Sequence, residues 1–164
     1  MVSIRKFMIE DVKTTFAYSS DVENTYYMLN SPFATVDETK QFILKCINEY
    51  DCENPRYLSF AVTYDGIHVG EVFASISGKE VDIGWIIDKH YWGKGIATSA
   101  AKLLLEYLKN ELQIDHVIAY CDARNIPSKR VMEKLGMTFV GINGVRSYDK
   151  EVSQGEELKY EMYM

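Results

Sequence analysis

The stretch Val81-Asp82-Ile83-Gly84-Trp85-Ile86-Ile87-Asp88-Lys89-His90-Tyr91-Trp92-Gly93-Lys94-Gly95-Ile96-Ala97-Thr98 decides how the chain is read. Its first seven residues read as a strand, its middle as a glycine-rich turn, and its end as the opening of a helix. That order suits an anion. A helix N-terminus offers unpaired N–H groups and partial positive charge, and Gly93 and Gly95 let the backbone approach a phosphate with no Cβ in the way. Ala97 keeps the first helical turn small, and the Thr98 hydroxyl adds a donor. Taken alone, two glycines before a helix are equally compatible with a tight turn that only allows close packing. Two other nucleotide motifs fit worse. The dinucleotide fingerprint needs glycine or alanine where Thr98 stands, and the P-loop needs Ser or Thr after Gly93-Lys94, where Gly95 stands.

Upstream, Tyr57 to Tyr64, Ile67 to Ser77 and Glu80 to Ile87 read as three strands joined at Asp65-Gly66 and Gly78-Lys79, an antiparallel meander. Before it, Val2 to Phe7 alternates as a first strand. A short helical stretch runs through Val12, Phe16 and Ala17, and Asp21 is placed to cap a second one carrying Val22, Tyr26, Met28 and Leu29. Pro32 then breaks the chain. Thr35-Val36-Asp37-Glu38 has capping-box form and opens a helix near residues 36 to 50. Downstream, a helix from about Gly95 to Glu111 buries Ile96, Ala100, Leu103, Leu104, Tyr107 and Leu108. The strand His116 to Cys121 follows, then a helix opened by Asn125 and closed at Leu135-Gly136. Strands near Thr138 to Arg146 and Glu156 to Met164 end the chain. This order predicts one α+β domain over residues 1–164, with a mixed, mainly antiparallel sheet of about seven strands flanked by helices.

The 24 acidic residues outnumber the 18 basic ones, a net charge of −6, which argues against a nucleic acid held by phosphate contacts and favours attraction of a cationic small molecule. No run approaches a membrane span, and no secretory segment is read at Met1, so the expected place of work is the cytoplasm. Cys46, Cys52 and Cys121 match no zinc or disulfide spacing and read as plain thiols. His68, His90 and His116 read as surface or strand-end residues, and no metal site is expected.

Asp82-Ile83-Gly84-Trp85 entering Tyr91-Trp92-Gly93-Lys94-Gly95-Ile96-Ala97-Thr98, followed by Asn125-Ile126-Pro127-Ser128 and Glu133-Lys134-Leu135-Gly136-Met137, resembles the GNAT superfamily of N-acetyltransferases. The branch it most resembles contains the ribosomal-protein N-terminal acetyltransferases. The resemblance implies an enzyme that moves an acetyl group from acetyl-CoA to an amine by direct attack in a ternary complex. It implies a splayed parallel strand pair, Val81 to Ile87 and His116 to Cys121, with backbone groups near Ile86 and Ile87 holding the pantetheine arm. One of those N–H groups would polarise the thioester carbonyl. The pyrophosphate would sit on the backbone from Trp92, Gly93, Lys94 and Gly95 through Ile96, Ala97 and Thr98. Trp92 stands where the family has Gln or Arg.

Asn125 and Ser128 match the family's Asn-x-x-Ser, implying that Asn125 holds the cofactor arm and Ser128 approaches the sulfur; as plain sequence they also read as a helix cap and a first-turn polar residue. Many relatives carry a tyrosine seven residues after the asparagine to protonate the leaving thiolate. Met132 stands there and has no proton to give, so Ser128 or a water it holds is the expected substitute. The acceptor ammonium must lose a proton before it attacks. Asp82 is the first choice of base, Glu71 the second, and Glu156 and Glu157 are weaker candidates. The acceptor, a small-molecule amine or a protein N-terminus, would be gripped by residues from about Glu10 to Pro32 and by the turn after Arg146, with Tyr18, Tyr26, Tyr27 and Phe33 as either an aromatic wall or core. The competing reading is a catalytically silent acyl-CoA sensor, which needs neither Ser128 nor a base. Monomer and homodimer both remain open.

Overall fold

The computed structural model describes residues 1–164. Seven strands form one sheet in the order β1-β2-β3-β4-β5-β7-β6. They are β1 (Val2–Lys6), β2 (Tyr57–Tyr64), β3 (Ile67–Ser77), β4 (Glu80–Ile87), β5 (His116–Asp122), β6 (Thr138–Arg146) and β7 (Gly155–Tyr163). The helices are α1 (Val12–Ser19), α2 (Val36–Glu49), α3 (Ile96–Leu112) and α4 (Ile126–Leu135).

Alternation along the strands divides the sheet into two faces. Val81 and Ile83 of β4, Val117, Ala119 and Cys121 of β5 and Leu158 and Tyr160 of β7 point into the main core, where Ile96, Ala100, Leu104 and Leu108 of α3 and Met132 and Leu135 of α4 meet them. The opposite face carries a smaller cluster of Phe7, Ile43, Cys46 and Ala61, covered by α2. Gly84 is demanded by this second face, because a Cβ there would lie 2.2 Å from the Phe73 ring.

Every neighbouring pair is antiparallel except β4 with β5, and that ladder consists of one residue pair, Asp82 opposite Ile118. Beyond it, Ile83–Ile87 and Ala119–Asp122 leave each other unpaired. Because the two strands are parallel, their C-terminal ends lie together, and α3 and α4 start side by side at the mouth of the split.

Two expectations need correction. Residues 21 to 30 form successive turns, not a helix. Asp21 does accept from Asn24 N at 2.8 Å in the manner of a cap, but the next bonds alternate, Thr25 N to Asp21 O and then Tyr26 N to Glu23 O. Distant donors claim other acceptors: Lys89 N bonds Asn24 Oδ1, and Lys150 Nζ bonds the carbonyls of Thr25 and Asn30. Tertiary bonding outweighs a weak local helical preference. His68 sits at the start of β3, as a strand-end residue would, but is not at the surface: its side chain is 4% exposed, packed edge-on to Phe7 and Tyr18 and bonded to Thr14 and to the Gly70 carbonyl.

Candidate active site

The turn between β4 and α3 has the conformation its glycines allow. Gly93 and Gly95 have φ of +77° and +74°, and a Cβ on either would meet no protein atom within 4 Å. The space their side chains would occupy is therefore open to a ligand. Gly95 caps α3 in a left-handed conformation and offers no side-chain acceptor, so the first N–H groups of the helix remain free for an anion. Trp92, Gly93, Lys94 and Gly95 are exposed, while Ile96 is buried in the core and anchors the helix start. The Trp92 indole turns back and donates to the Ile87 carbonyl at 2.7 Å. Lys94 also folds back, its Nζ 4.9 Å from the centre of the Tyr91 ring. Both side chains leave the backbone to form the cradle, and Trp92 withdraws the Ile87 carbonyl from the groups available to a bound arm.

Across the split, Asn125 caps α4 by accepting from Ser128 N at 3.2 Å. The cap fixes Ser128 in the first turn, at the mouth of the split. Met132 is buried in the main core with 1% exposure, which explains how that position does without a polar side chain.

Two carboxylates on the face opposite α3 are held near neutrality. Asp82 stands at the single β4–β5 pair; burial pushes its carboxyl up to about 7, with the Arg146 guanidinium pulling the other way and Glu157 and Glu80 adding to the rise. Glu71, 7% exposed, is likewise raised to about 7 by burial, relieved only by a 3.3 Å bond from the Ser59 hydroxyl. Both suit proton transfer near neutral pH. The other two candidates are placed differently. Glu156 is exposed, and Glu157 is engaged by Asn143 Nδ2 and by Arg146 Nη1 at 2.7 Å.

The connection between β6 and β7 is stitched to residues 25 to 31. Asp149 N donates to the Leu29 carbonyl, Ser31 Oγ to the Asp149 carbonyl, and Arg146 Nη2 to the Tyr27 carbonyl. The other end of that connection rests on Asp122, whose side chain is fully buried. Its carboxylate takes three bonds from Arg124 and one from the Tyr148 hydroxyl, and it is held down to about 2, chiefly by the Arg124 bonds. Five buried side-chain atoms find no partner within the protein: Thr15 Oγ1, Tyr18 OH, Ser19 Oγ, Asn24 Nδ2 and Arg146 Nε. Four belong to the segment from Glu10 to Pro32, and the fifth, Arg146, ends β6 just before the other segment expected to grip the acceptor. The aromatic residues divide: Tyr18 is core, Phe33 packs on Phe42, and exposed Tyr26 meets half-buried Tyr27 edge to face at 4.9 Å.

Asn24, Asp122, Arg124 and Tyr148 tie these loops together, and the sequence does not single them out. Asn24 and Tyr148 have partners 65 and 26 positions away and carry no local signal, while Asp122 and Arg124, two positions apart, read as an ordinary turn pair. No group of three or more His, Cys, Asp or Glu side chains is placed to hold a metal, and no helix is long and apolar enough to cross a membrane. Cys46 and Cys121 are buried thiols, pushed up by burial to about 12 and about 11.

A split parallel strand pair with a backbone anion cradle at its mouth and near-neutral carboxylates alongside is the arrangement of an acyl-CoA-dependent N-acyltransferase. The model of the acetyltransferase (GNAT) domain family matches residues 2–138. An uncharacterized N-acetyltransferase of Bacillus subtilis, YnaD, is 31% identical over 162 residues, covering 98% of this chain and 89% of that protein. Among solved structures, a GNAT-family acetyltransferase from Bacillus anthracis superposes with a TM-score of 0.81 at 28% identity, covering 99% of this chain and 94% of the other. A spermidine N-acetyltransferase from Vibrio cholerae, in complex with CoA and spermine, shares the fold with a TM-score of 0.84 at 16% identity, covering 99% and 95%. The chain belongs to the GNAT family and is an acetyl-CoA-dependent N-acetyltransferase.

Proposed function

We propose that residues 1–164 act as one transferase domain that passes the acetyl group directly from acetyl-CoA to a primary amine within a ternary complex. The observation that carries this reading is the single β4–β5 pair at Asp82, which sets a carboxyl with a pKa near 7 at the apex of the split that would receive the pantetheine arm. The backbone from Trp92 to Thr98 holds the pyrophosphate, Asn125 and the Ile86 and Ile87 backbone groups other than the Ile87 carbonyl hold the arm, and an N–H of β4 faces the thioester oxygen as negative charge develops there.

Asp82 takes a proton from the acceptor ammonium, directly or through water. The freed nitrogen attacks the thioester carbon, the adduct gives its second nitrogen proton to solvent as the carbon–sulfur bond breaks, and the CoA thiolate leaves with a proton from the Ser128 hydroxyl, replaced from water, or from a water that Ser128 holds. The acceptor amine belongs to a small molecule or a protein N-terminus, and the protein works in the cytoplasm as a monomer or homodimer. Acetyl-CoA should raise the melting temperature where NADH and ATP at the same concentration do not, because a ligand that binds only the folded state stabilises it. Free thiol should then appear when amines are added. Equal shifts from all three nucleotides, or no thiol release across a broad amine panel, would overturn the reading.

A further inference from the structure

The end of β6 and the connection that follows it carry two cations around the Tyr148 ring, each without a full set of partners. The Arg146 side chain is 10% exposed. Its Nη1 is held by Glu157 and its Nη2 reaches the Tyr27 carbonyl at 3.4 Å, but its Nε is buried and donates to nothing. Glu157 spends one oxygen on Arg146 Nη1 and the other on Asn143, and makes no bond to Nε. Lys150 is partly buried, bonds only the carbonyls of Thr25 and Asn30, and forms no ion pair in a chain where acidic residues outnumber basic ones. Both cations lie 5.9 Å from the centre of the Tyr148 ring, one guanidinium and one ammonium sharing a single aromatic neighbour. Burial and the Arg146 charge together hold the Lys150 pKa below its ordinary value, a sign that the two positive charges feel each other.

Among the other charged groups nearby, Asp122 is saturated by Arg124 and Tyr148, and Asp82 makes no ion pair with Arg146. A buried guanidinium N–H without an acceptor and an ammonium without a counter-ion are both costly, and the ring they share makes a ligand carboxylate the group that would answer both. We infer that the acceptor carries a carboxylate, bound by Arg146 Nε and Lys150 Nζ, so that the preferred substrate is an amino-acid-like zwitterion whose amine faces Asp82. This rests on the direct-transfer reading above for the direction in which the amine points. The net negative chain still attracts the ammonium end, while the cation pair selects among amines.

The test uses the full chain saturated with CoA. N-acetylated products with different spacings, N-acetylalanine, N-acetyl-β-alanine and N-acetyl-γ-aminobutyrate, are compared by calorimetry with their C-terminal amides and with N-ethylacetamide. For at least one spacing the acid should bind about tenfold more tightly than its amide, the scale of one charge-assisted hydrogen bond. The Arg146 Nε–H proton, assigned by its loss in Arg146→Lys, should shift on adding the acid and stay in place with the amide. Lys150→Met, which keeps the aliphatic stem, should shrink the acid preference to less than about threefold. Equal binding of acid and amide at every spacing, no binding of any acid, or an unmoved Arg146 proton would overturn the inference. Turnover of the corresponding free amines is read separately as thiol release. Carboxylate-dependent binding without turnover would sink the transfer reading and leave the subsite standing.

Discussion

The two ends of the proposed site are built on opposite principles. The cofactor end is backbone: one strand, one glycine turn and one helix start within residues 81 to 98, with Trp92 and Lys94 folded away from the cradle. The acceptor end is side chains, brought together over long separations, such as the 119 residues between Arg146 and Tyr27 or the 120 between Lys150 and Asn30. A backbone site depends on conformation and tolerates most side-chain changes at its surface. A side-chain site depends on charges whose partners lie far off in sequence, and single substitutions retune it. Perturbations should therefore separate cleanly, those at the turn removing CoA binding and those across the groove changing turnover or acceptor preference.

The largest effect is expected at Gly95. A valine there must hold φ near +74° and project its branches into the space left for the phosphate. Gly95→Val should abolish measurable CoA binding by calorimetry while the circular dichroism spectrum stays that of a folded protein, because no protein atom lies within 4 Å of the added Cβ. An unchanged dissociation constant would show that the turn is a packing device and would erase the contrast between the two ends.

Next in size is Asp82→Asn, expected to lower kcat by about 100- to 1,000-fold at pH 7.5 with little change in CoA affinity. In the unmodified enzyme kcat/KM should rise with pH and level off above about 7, as the Asp82 carboxyl loses its proton. Stability runs the other way. A carboxyl raised from 3.8 to about 7 on folding binds its proton more tightly in the native state, so stability falls as pH rises between those values. The asparagine variant removes that cost and should melt higher than the parent at pH 8, losing activity while gaining stability. A rising pH profile that survives the substitution would transfer the base role to Glu71, the other carboxyl held near 7.

How much of this was legible in the sequence follows the same division. The hairpin turns at Asp65-Gly66 and Gly78-Lys79, the Thr35 cap and the glycine turn announce themselves because glycine, capping residues and alternation act locally, and β2 to β4, α2 and α3 lie within a residue or two of where those signals put them. The cap at Thr35 is shifted in one detail: Glu38 returns its bond to Ala34 N, one residue before the cap. The split itself was implied by family resemblance alone, since no local pattern says that β4 and β5 pair at one residue. Residues 21 to 30 misled because Asp21 behaves locally as a cap while Lys89 and Lys150 decide the path. His68 misled because its partners, Phe7, Thr14 and Tyr18, lie 50 or more positions away. Arg146 was noticed only as a boundary, and its orphan Nε is visible only once Glu157 and Tyr27 have been placed.

A smaller change is expected at Ser128, where the two ends meet. Ser128→Ala should lower kcat by about 10- to 100-fold with CoA affinity nearly constant, less than for the base because a thiol of pKa about 8.5 leaves a tolerable thiolate unaided. Since the Asn125 cap uses the Ser128 backbone N–H and not its hydroxyl, the helix start should survive the substitution. A loss confined to acetyl-CoA affinity, with turnover at saturation preserved, would make Ser128 part of the cofactor end.

The smallest kinetic effect should come from Asp122→Asn, and it separates the two ends most finely. Asp122 touches no part of the glycine turn; it anchors Arg124, which donates to the Ser153 hydroxyl and carbonyl, and Tyr148, whose ring neighbours Arg146 and Lys150. Asparagine keeps the shape but loses the charge and one acceptor, so the bonds from Arg124 weaken and the β6–β7 connection loosens. Losing such charge-assisted bonds should cost about 1–3 kcal/mol, roughly 3–9 °C in melting temperature for a chain of this size. The acceptor KM should rise by about three- to tenfold, since the groove wall is loosened rather than removed, while the CoA dissociation constant stays within about twofold. The pH dependence gives an independent check. With its folded pKa held at about 2 against 3.8, Asp122 contributes stability that is present above about pH 4 and lost as pH falls through 2, so parent and variant should differ most near neutrality and converge in acid. A variant whose CoA affinity falls as far as its acceptor affinity would show that the wall and the cradle are one mechanical unit, and the division between a backbone end and a side-chain end would have to be abandoned.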